Sequence, residues 1–286
     1  MEKIVNFDSL QAYPNEVVMR RELRGWRVLL TGASQGIGEA LALELAKAGA
    51  RLALTARSEE KLEEVVQAVR IAGGEAHGIP GDLTHDEERK AILASAVEVL
   101  GGLDGVINNA GLGSWNHFAD GNEQGFRDMM EINFFTPAEL MREAIPVLMK
   151  GHQPAILNVA SRCGRCALPS WTEYSASKAA LVGLTESLRT EYARFGIEVL
   201  MALPGKTSTG FLKNCRMATG KAQLKFEEGM PPATVAKALV TQLVRNKRET
   251  WIGRDSYWML MVQRFMPGLV RRKLASKVRE LYAPAA

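Results

Sequence analysis

Ser161, Tyr174 and Lys178 have the side-chain types and spacing needed to move a proton onto or off an oxygen atom. Tyr174 and Lys178 stand at i and i+4 in Glu173-Tyr-Ser-Ala-Ser-Lys-Ala-Ala, which reads as the start of a helix. That spacing puts phenol and ammonium on one helix face, where the cation favours the phenolate and is expected to lower a pKa that is ordinarily ~10. Ser161 follows the apolar run 155–160 and offers a hydroxyl donor to a substrate oxygen. Hydride addition to a ketone leaves charge on oxygen, so a proton donor must lie close by. The expected roles are Tyr174 as general acid/base, Ser161 as carbonyl polariser and Lys178 as electrostatic partner. By itself a Tyr/Lys pair at this spacing is usually a solvated surface pair. Two upstream segments change that reading.

The first is Gly32-Ala-Ser-Gln-Gly-Ile-Gly38, preceded by the buried-strand pattern Trp26–Thr31 and followed by a helical pattern over 39–49. A strand, a glycine-rich turn and a helix N-terminus form a dinucleotide-binding arrangement, with the free N–H groups directed at pyrophosphate. Glu39 and Ala40 follow Gly38, so the turn is not a P-loop. The second strand, 51–55, ends at Ala56-Arg57, where an Asp or Glu would hold the ribose hydroxyls of NAD. Arginine there suits a 2′-phosphate, with Ser34 and Thr55 adding hydroxyls, so NADP(H) is expected and NAD(H) is the secondary choice. The other segment is Asn108-Asn-Ala-Gly111, at the end of the strand pattern 103–108.

Further strand patterns lead to Gly81-Asp82-Leu83-Thr84, run over 155–160 and run over 197–202, the last closing at Pro204-Gly205. Helical patterns follow Ser58 and cover 87–100, 126–148 and 174–195. This alternation predicts an α/β, Rossmann-type doubly wound and mostly parallel sheet with helices on both faces, plus a C-terminal extension. One NAD(P)-binding domain is expected over 1–286, with an N-terminal arm at 1–25, a substrate-side lid at 206–232 and a basic extension at 254–286. After Gly205 the clean alternation is expected to stop.

At 286 residues, 47% hydrophobic and 24% charged, the chain can bury a large core and shows no global disorder. From Arg245 onward ten Arg or Lys stand against Glu249, Asp255 and Glu280, which leaves the rest of a +4 chain at −3. A basic tail suits an anionic partner, but no nucleic-acid-reading module accompanies it and nucleic acid is not expected. Cys163, Cys166 and Cys215 make no disulfide framework. Cys163-x-x-Cys166 reads as a redox pair or half a metal site; no second pair exists and the histidines at 77, 85, 117 and 152 are scattered, so no metal is expected. The absence of an apolar signal segment leads to an expected cytoplasmic location. A serine-hydrolase reading fails, because Ser161 is not in Gly-x-Ser-x-Gly and no histidine follows His152.

Thr31–Gly38, Asn108–Gly111, Tyr174-x-x-x-Lys178 and Ser161 thirteen residues before Tyr174 together resemble the short-chain dehydrogenase/reductase family from about residue 26 to 215. Asn133 in Met130-Glu-Ile-Asn-Phe is similar to the family's asparagine. The resemblance implies a fourth catalytic residue in Asn133, anchoring a water that relays protons from Lys178, alongside a local role in backbone repair. It implies a cofactor site of Gly32, Ser34, Gln35, Gly36, Ile37, Gly38, Arg57, Asp82, Leu83, Asn109, Ala110, Gly111, Tyr174, Lys178, Pro204, Gly205, Thr207 and Thr209. Asp82 would lie against adenine, Lys178 at the nicotinamide ribose, and Pro204, Gly205 and Thr209 around the nicotinamide. It also implies homodimers or homotetramers paired through the long helices around 126–148 and 174–195.

The loops 112–120, 162–172 and 206–232 should select the substrate. Leu112, Trp115, Phe118, Leu168, Trp171, Phe211, Leu212 and Met217 favour a hydrophobic carbonyl or alcohol over a sugar. Lys213, Arg216, Lys221 and Lys225 would instead suit an acidic carrier protein, which keeps a 3-oxoacyl-(acyl-carrier-protein) reductase as an alternative, beside a non-catalytic NADP(H) sensor or scaffold. The Trp/Met/Phe-rich tail resembles extensions of the hydroxysteroid-dehydrogenase-like branch. It could close the cleft, pack on a second subunit or make a peripheral contact with an anionic membrane.

Overall fold

Apolar runs of four to seven residues become the centre of a sheet covered on both sides. The computed structural model describes residues 20–211, 215 and 229–282, with side chains as far as residue 280. Its strands are β1 (Arg27–Thr31), β2 (Arg51–Ala56), β3 (Glu75–Pro80), β4 (Gly105–Asn108), β5 (Ala155–Val159), β6 (Glu198–Pro204) and β7 (Glu249–Ile252). All pair in parallel, in the order β3-β2-β1-β4-β5-β6-β7. The helices are α1 (Gly36–Lys47), α2 (Glu59–Ile71), α3 (Asp86–Leu100), α4 (Glu123–Met130), α5 (Thr136–Leu148), α6 (Thr172–Glu191), α7 (Pro232–Val244), α8 (Arg254–Phe265) and α9 (Pro267–Tyr282).

Successive strand residues feed opposite cores, as the two-residue period of a strand requires. Leu30, Leu52, Leu54, Ile107, Leu157 and Leu200 join Leu41 of α1, Val66 of α2 and Leu239 of α7. Their neighbours Leu29, Ala53, Val106, Ile156 and Val199 join Leu93 of α3, Leu140 of α5 and Leu188 of α6. The chain reverses direction of winding between β1 and β4, and in such sheets the crevice at the carboxyl ends of the strands receives ligands.

Three expectations need correction. The helix expected over 126–148 is α4, a π-helical segment Glu131–Phe135 and α5. Pro137 has no N–H to return to the carbonyl four residues earlier, and Thr136 N–H donates instead to Glu131 O, five residues back. The alternation does not stop at Gly205, because α7 and β7 add one more helix and strand; the departure begins only at residue 254. Finally, the expectation that the extension could close the cleft finds no support among the described residues, since none of 254–282 lines it. Leu260 of α8 packs instead with Met201, Leu203 and Leu181, and Val270 of α9 lies against that cluster.

Of the arm, only 20–25 is described. Arg21, 1% exposed, donates to Gln153 O at 2.9 Å and to Leu243 O at 2.8 Å, and burial lowers its pKa to about 10.

Candidate active site

The carboxyl ends of the strands open into a cleft of about 940 Å³. Every residue of the expected cofactor set except Gly38 lines it, and so does Ser161. Gly38 lies under the turn: a Cβ there would sit 2.1 Å from Gly32 O. At Gly32, φ is +65° and a Cβ would come 2.8 Å from Ala110 Cα; Gly36, with φ +62°, faces Thr209 across the cleft. Thr31 Oγ1 accepts from the N–H groups of Asn109 and Ala110, both at 3.0 Å, and Asn109 Nδ2 donates to Thr31 O and Gly32 O. These bonds lock the glycine turn to the end of β4.

Gln35 caps α1 without a side-chain bond, and Gln35, Gly36 and Ile37 at that end of the helix line the cleft. At the far end of β2, Arg57 Nη1 stands 3.9 Å from Asp82 Oδ2 with its side chain 64% exposed. Asp82 Oδ1 accepts from the N–H and hydroxyl of Thr84, which helps hold its carboxyl below the usual range although burial opposes this. Lys61, on the first turns of α2, lines the same end; sequence reading missed it because the strand-end rule points only to the first residues past β2.

Ser161 lies two residues past β5, and its Oγ accepts from Cys163 N–H at 3.1 Å. Tyr174 and Lys178 lie in the first two turns of α6, each under a tenth exposed. The Tyr174 ring meets Trp171 at 5.6 Å and Phe211 at 5.5 Å, both edge-on, and Lys178 Nζ lies 6.0 Å from its centroid. Lys178 Nζ donates to Val159 O at 3.2 Å. The expected lowering of the phenol pKa is not found. Burial in this aromatic cage pushes the Tyr174 phenol well up, opposed in part by the Ser161 hydroxyl, while burial lowers Lys178 to about 8. Tyr174 is thus held as the neutral, proton-donating phenol.

Asn133 lies behind the cleft wall, 1% exposed, in the π-helical segment. Its Oδ1 accepts from Leu112 N–H, and its Nδ2 donates to Leu112 O and Ser177 Oγ, all at 2.9 Å. Ser177 Oγ in turn donates to Tyr174 O. Asn133 therefore ties the loop after β4 to the catalytic turn of α6, with both amide protons engaged. Asn158 of β5 makes a similar tie below it, accepting from Asn108 at 2.8 Å and donating to Thr185 Oγ1 at 2.9 Å.

Glu173 is a further positioning residue that the sequence did not single out. At 4% exposure its carboxyl accepts from Ser114 Oγ and Asn116 Nδ2, each at 3.2 Å, holding the substrate-side loop to α6 beside Tyr174. The only signal was its place next to the tyrosine. Glu173→Ala, which strands two buried donors, should cost about 1–3 kcal/mol of stability and raise KM more than it lowers kcat. Glu173→Gln, which keeps the amide oxygen as an acceptor, should recover part of both losses. Thermal unfolding and steady-state kinetics check this; unchanged stability and KM in the alanine variant would remove the role.

Of the expected substrate-loop residues, Leu112, Leu168, Trp171 and Phe211 line the cleft. Trp115 packs against its aromatic wall, and Phe118 is 60% exposed elsewhere. Leu212 and Met217, and the cations Lys213, Arg216, Lys221 and Lys225, fall outside the described residues. Cys163 and Cys215 also line the cleft, and Cys166 is buried behind it; burial pushes all three thiols up, away from reactive thiolate. Among the described residues no group of three or more His, Cys, Asp or Glu could hold a metal ion.

The short chain dehydrogenase family profile matches residues 27–219. An uncharacterised oxidoreductase of Thermotoga maritima is 38% identical over 205 residues, 72% of this chain and 79% of that protein. The 11-beta-hydroxysteroid dehydrogenase-like protein 3 of Arabidopsis thaliana is 36% identical, covering 85% of this chain and 78% of its own. A crystal structure of a short-chain dehydrogenase/reductase from Burkholderia phymatum in complex with NAD superposes with a TM-score of 0.80 at 23% identity, over 87% of this chain and 96% of that one. With its dinucleotide-binding fold and its Ser-Tyr-Lys group at one cleft, the chain belongs to the short-chain dehydrogenase/reductase family.

Proposed function

We propose that this protein is an NADP(H)-dependent reductase of hydrophobic carbonyl compounds, with Tyr174 as the proton donor. The observation that carries the reading is the convergence of Ser161, Tyr174 and Lys178 on one cleft whose wall is formed by Leu168, Trp171 and Phe211. The cleft fits a dinucleotide: Gly32 in its lining and Gly38 under the same turn have no room for a Cβ, and the N-terminal end of α1 lines it. Gly32 to Gly38 would hold the pyrophosphate, Asp82 and Leu83 the adenine with Asn109 near the adenosine side, and Lys178, Pro204, Gly205, Thr207 and Thr209 the nicotinamide side. When bound, the nicotinamide supplies a two-electron reductant. Ser161 donates a hydrogen bond to the carbonyl oxygen, and Tyr174, kept protonated by burial, gives it a proton as charge develops there. Lys178, its Nζ 6.0 Å from the Tyr174 ring centroid, holds positive charge below a pH of about 8. Asn133 fixes the loop and helix that carry this group, and a relay of protons past it remains part of the proposal.

Arg57 and Lys61 at the exposed end of the cleft, with no acid closing β2, support the 2′-phosphate and hence NADP(H) over NAD(H). Arg57→Ala should weaken NADPH roughly tenfold to hundredfold and leave NADH nearly unchanged. Titration of each cofactor measures this, and an unaltered preference would remove the assignment. The apolar wall, together with likeness to a hydroxysteroid-dehydrogenase-like protein, supports a bulky hydrophobic ketone. Three cysteines unpaired in the structure agree with a cytoplasmic setting, and pairing of helices α5 and α6 between copies is the proposed route to a homodimer or homotetramer.

The test is NADPH consumption over hydroxysteroid ketones, 3-oxoacyl thioesters, aromatic ketones and polar keto sugars. Turnover of the bulky apolar ketones and not the sugars is expected. Turnover confined to thioesters on a carrier protein would favour the 3-oxoacyl reductase reading, and tight NADPH binding without turnover would favour a sensor.

A further inference from the structure

The α8–α9 extension carries apolar side chains that the fold does not bury. Trp258 is 65% exposed, Phe265 69%, Met266 55% and Leu269 49%. Trp258 and Phe265 are seven residues apart, two turns along one face of α8, with half-buried Met261 and Val262 between them. The opposite side of the extension is already used, since Leu260, Met259 and Val270 pack onto β6 and α6. The outward face is therefore left over from folding.

Cations frame this face. Arg254 precedes Trp258 by one turn, Arg264 adjoins Phe265, and Arg272 and Lys273 follow Leu269 by three and four residues on the same side of α9. Over 254–280 seven Arg or Lys stand against Asp255 and Glu280, and Asp255 is engaged by Arg162 at 2.5 Å. All seven cations are exposed. No helix among the described residues is long and apolar enough to cross a membrane.

We propose that the outer face of α8–α9 docks peripherally on an anionic lipid bilayer, with Trp258, Phe265, Met266 and Leu269 entering the headgroup boundary and the surrounding cations contacting lipid phosphates. Charge decides between this and a second copy of the chain. A two-fold contact would set the excess of five positive charges against its own image, whereas an anionic surface complements it. The face is also placed close to the site. Ser256, on the first turn of α8, packs against Gly205, where a Cβ would come 2.0 Å from Ser256 Oγ, and Arg162 follows Ser161 directly. Docking there would hold the catalytic end of the cleft near a source of apolar substrate; this last clause rests on the proposed function, whereas docking itself does not.

The full-length protein should co-sediment with vesicles of phosphatidylcholine containing phosphatidylglycerol and remain in solution with phosphatidylcholine alone. Raising salt should release it. The double variant Trp258→Asp/Phe265→Asp should lose about tenfold or more in vesicle partitioning. Arg272→Glu/Lys273→Glu, which alters only exposed residues, should do the same if the first variant folds poorly. Light scattering on the same samples reads the competing occupant. Failure of the wild-type protein to bind anionic vesicles, partitioning that neither double variant reduces, or a fall from dimer to monomer in the variants without any vesicle binding by the wild type would each overturn the proposal. None of these readouts depends on turnover, so a failed substrate reading would leave them intact.

Discussion

Replacing Tyr174 with phenylalanine should lower turnover by about 10²–10⁴-fold while NADPH binding stays near that of the wild type. The substitution removes one oxygen and keeps the ring, whose edge-on contacts with Trp171 and Phe211 hold the aromatic wall in place. Loss of activity therefore reports the proton and not the packing. Burial keeps the hydroxyl protonated at neutral pH, so the proton needed in the reductive direction is present, although the same burial makes the phenol a weaker acid. On the proposed mechanism Ser161 would still donate to the carbonyl oxygen in the variant and would account for whatever rate remains. Steady-state kinetics with a titration of NADPH separate the two effects. Equal turnover in the two proteins would sink the assignment of Tyr174, and a parallel loss of NADPH binding would show that the ring or loop had moved.

Gly38→Ala should weaken dinucleotide binding on the order of hundredfold, as displacement of a binding turn by about an ångström does. The added Cβ would lie 2.1 Å from Gly32 O and 2.7 Å from Asn109 Nδ2. The first of these is backbone and cannot rotate aside, so β1, α1 or the turn between them must shift. Such overpacking also costs about 1–3 kcal/mol of stability. Gly183→Ala is the matched control: it lies in α6 with open space around its Cβ position and should stabilise the helix by about 0.5–1 kcal/mol. Cofactor titration and thermal unfolding of both variants check the pair. Wild-type affinity in Gly38→Ala would mean that the turn does not bind the dinucleotide.

The central sheet was legible because strands covered on both faces have continuous apolar sequences, as in 199–204 of β6, where every residue is buried. The glycine turn was legible because each glycine answers a local demand of space or of φ. Other features depend on contacts distant in sequence. Asn133 looked like a water anchor on a regular helix; the ladder shift at Pro137 and the reach to Leu112 and Ser177 appear only in three dimensions. Glu173 resembles any acid in a first helical turn until Ser114 and Asn116 fold over it. The phenol of Tyr174 shifts in the direction opposite to expectation because i,i+4 spacing sets which groups are near, whereas burial sets what charge costs. Helix α7 and strand β7 were missed because the long stretch after Gly205 breaks the rhythm that had identified their predecessors.

The reductase reading is tested most directly with NADPH deuterated on the transferring face of C4 and a bulky apolar ketone. The deuterium should appear on the carbinol carbon of the product at one atom per NADPH consumed, and at a far lower rate in Tyr174→Phe. NADPH loss with no deuterium in the alcohol, or label transfer at the same rate without the Tyr174 hydroxyl, would contradict it.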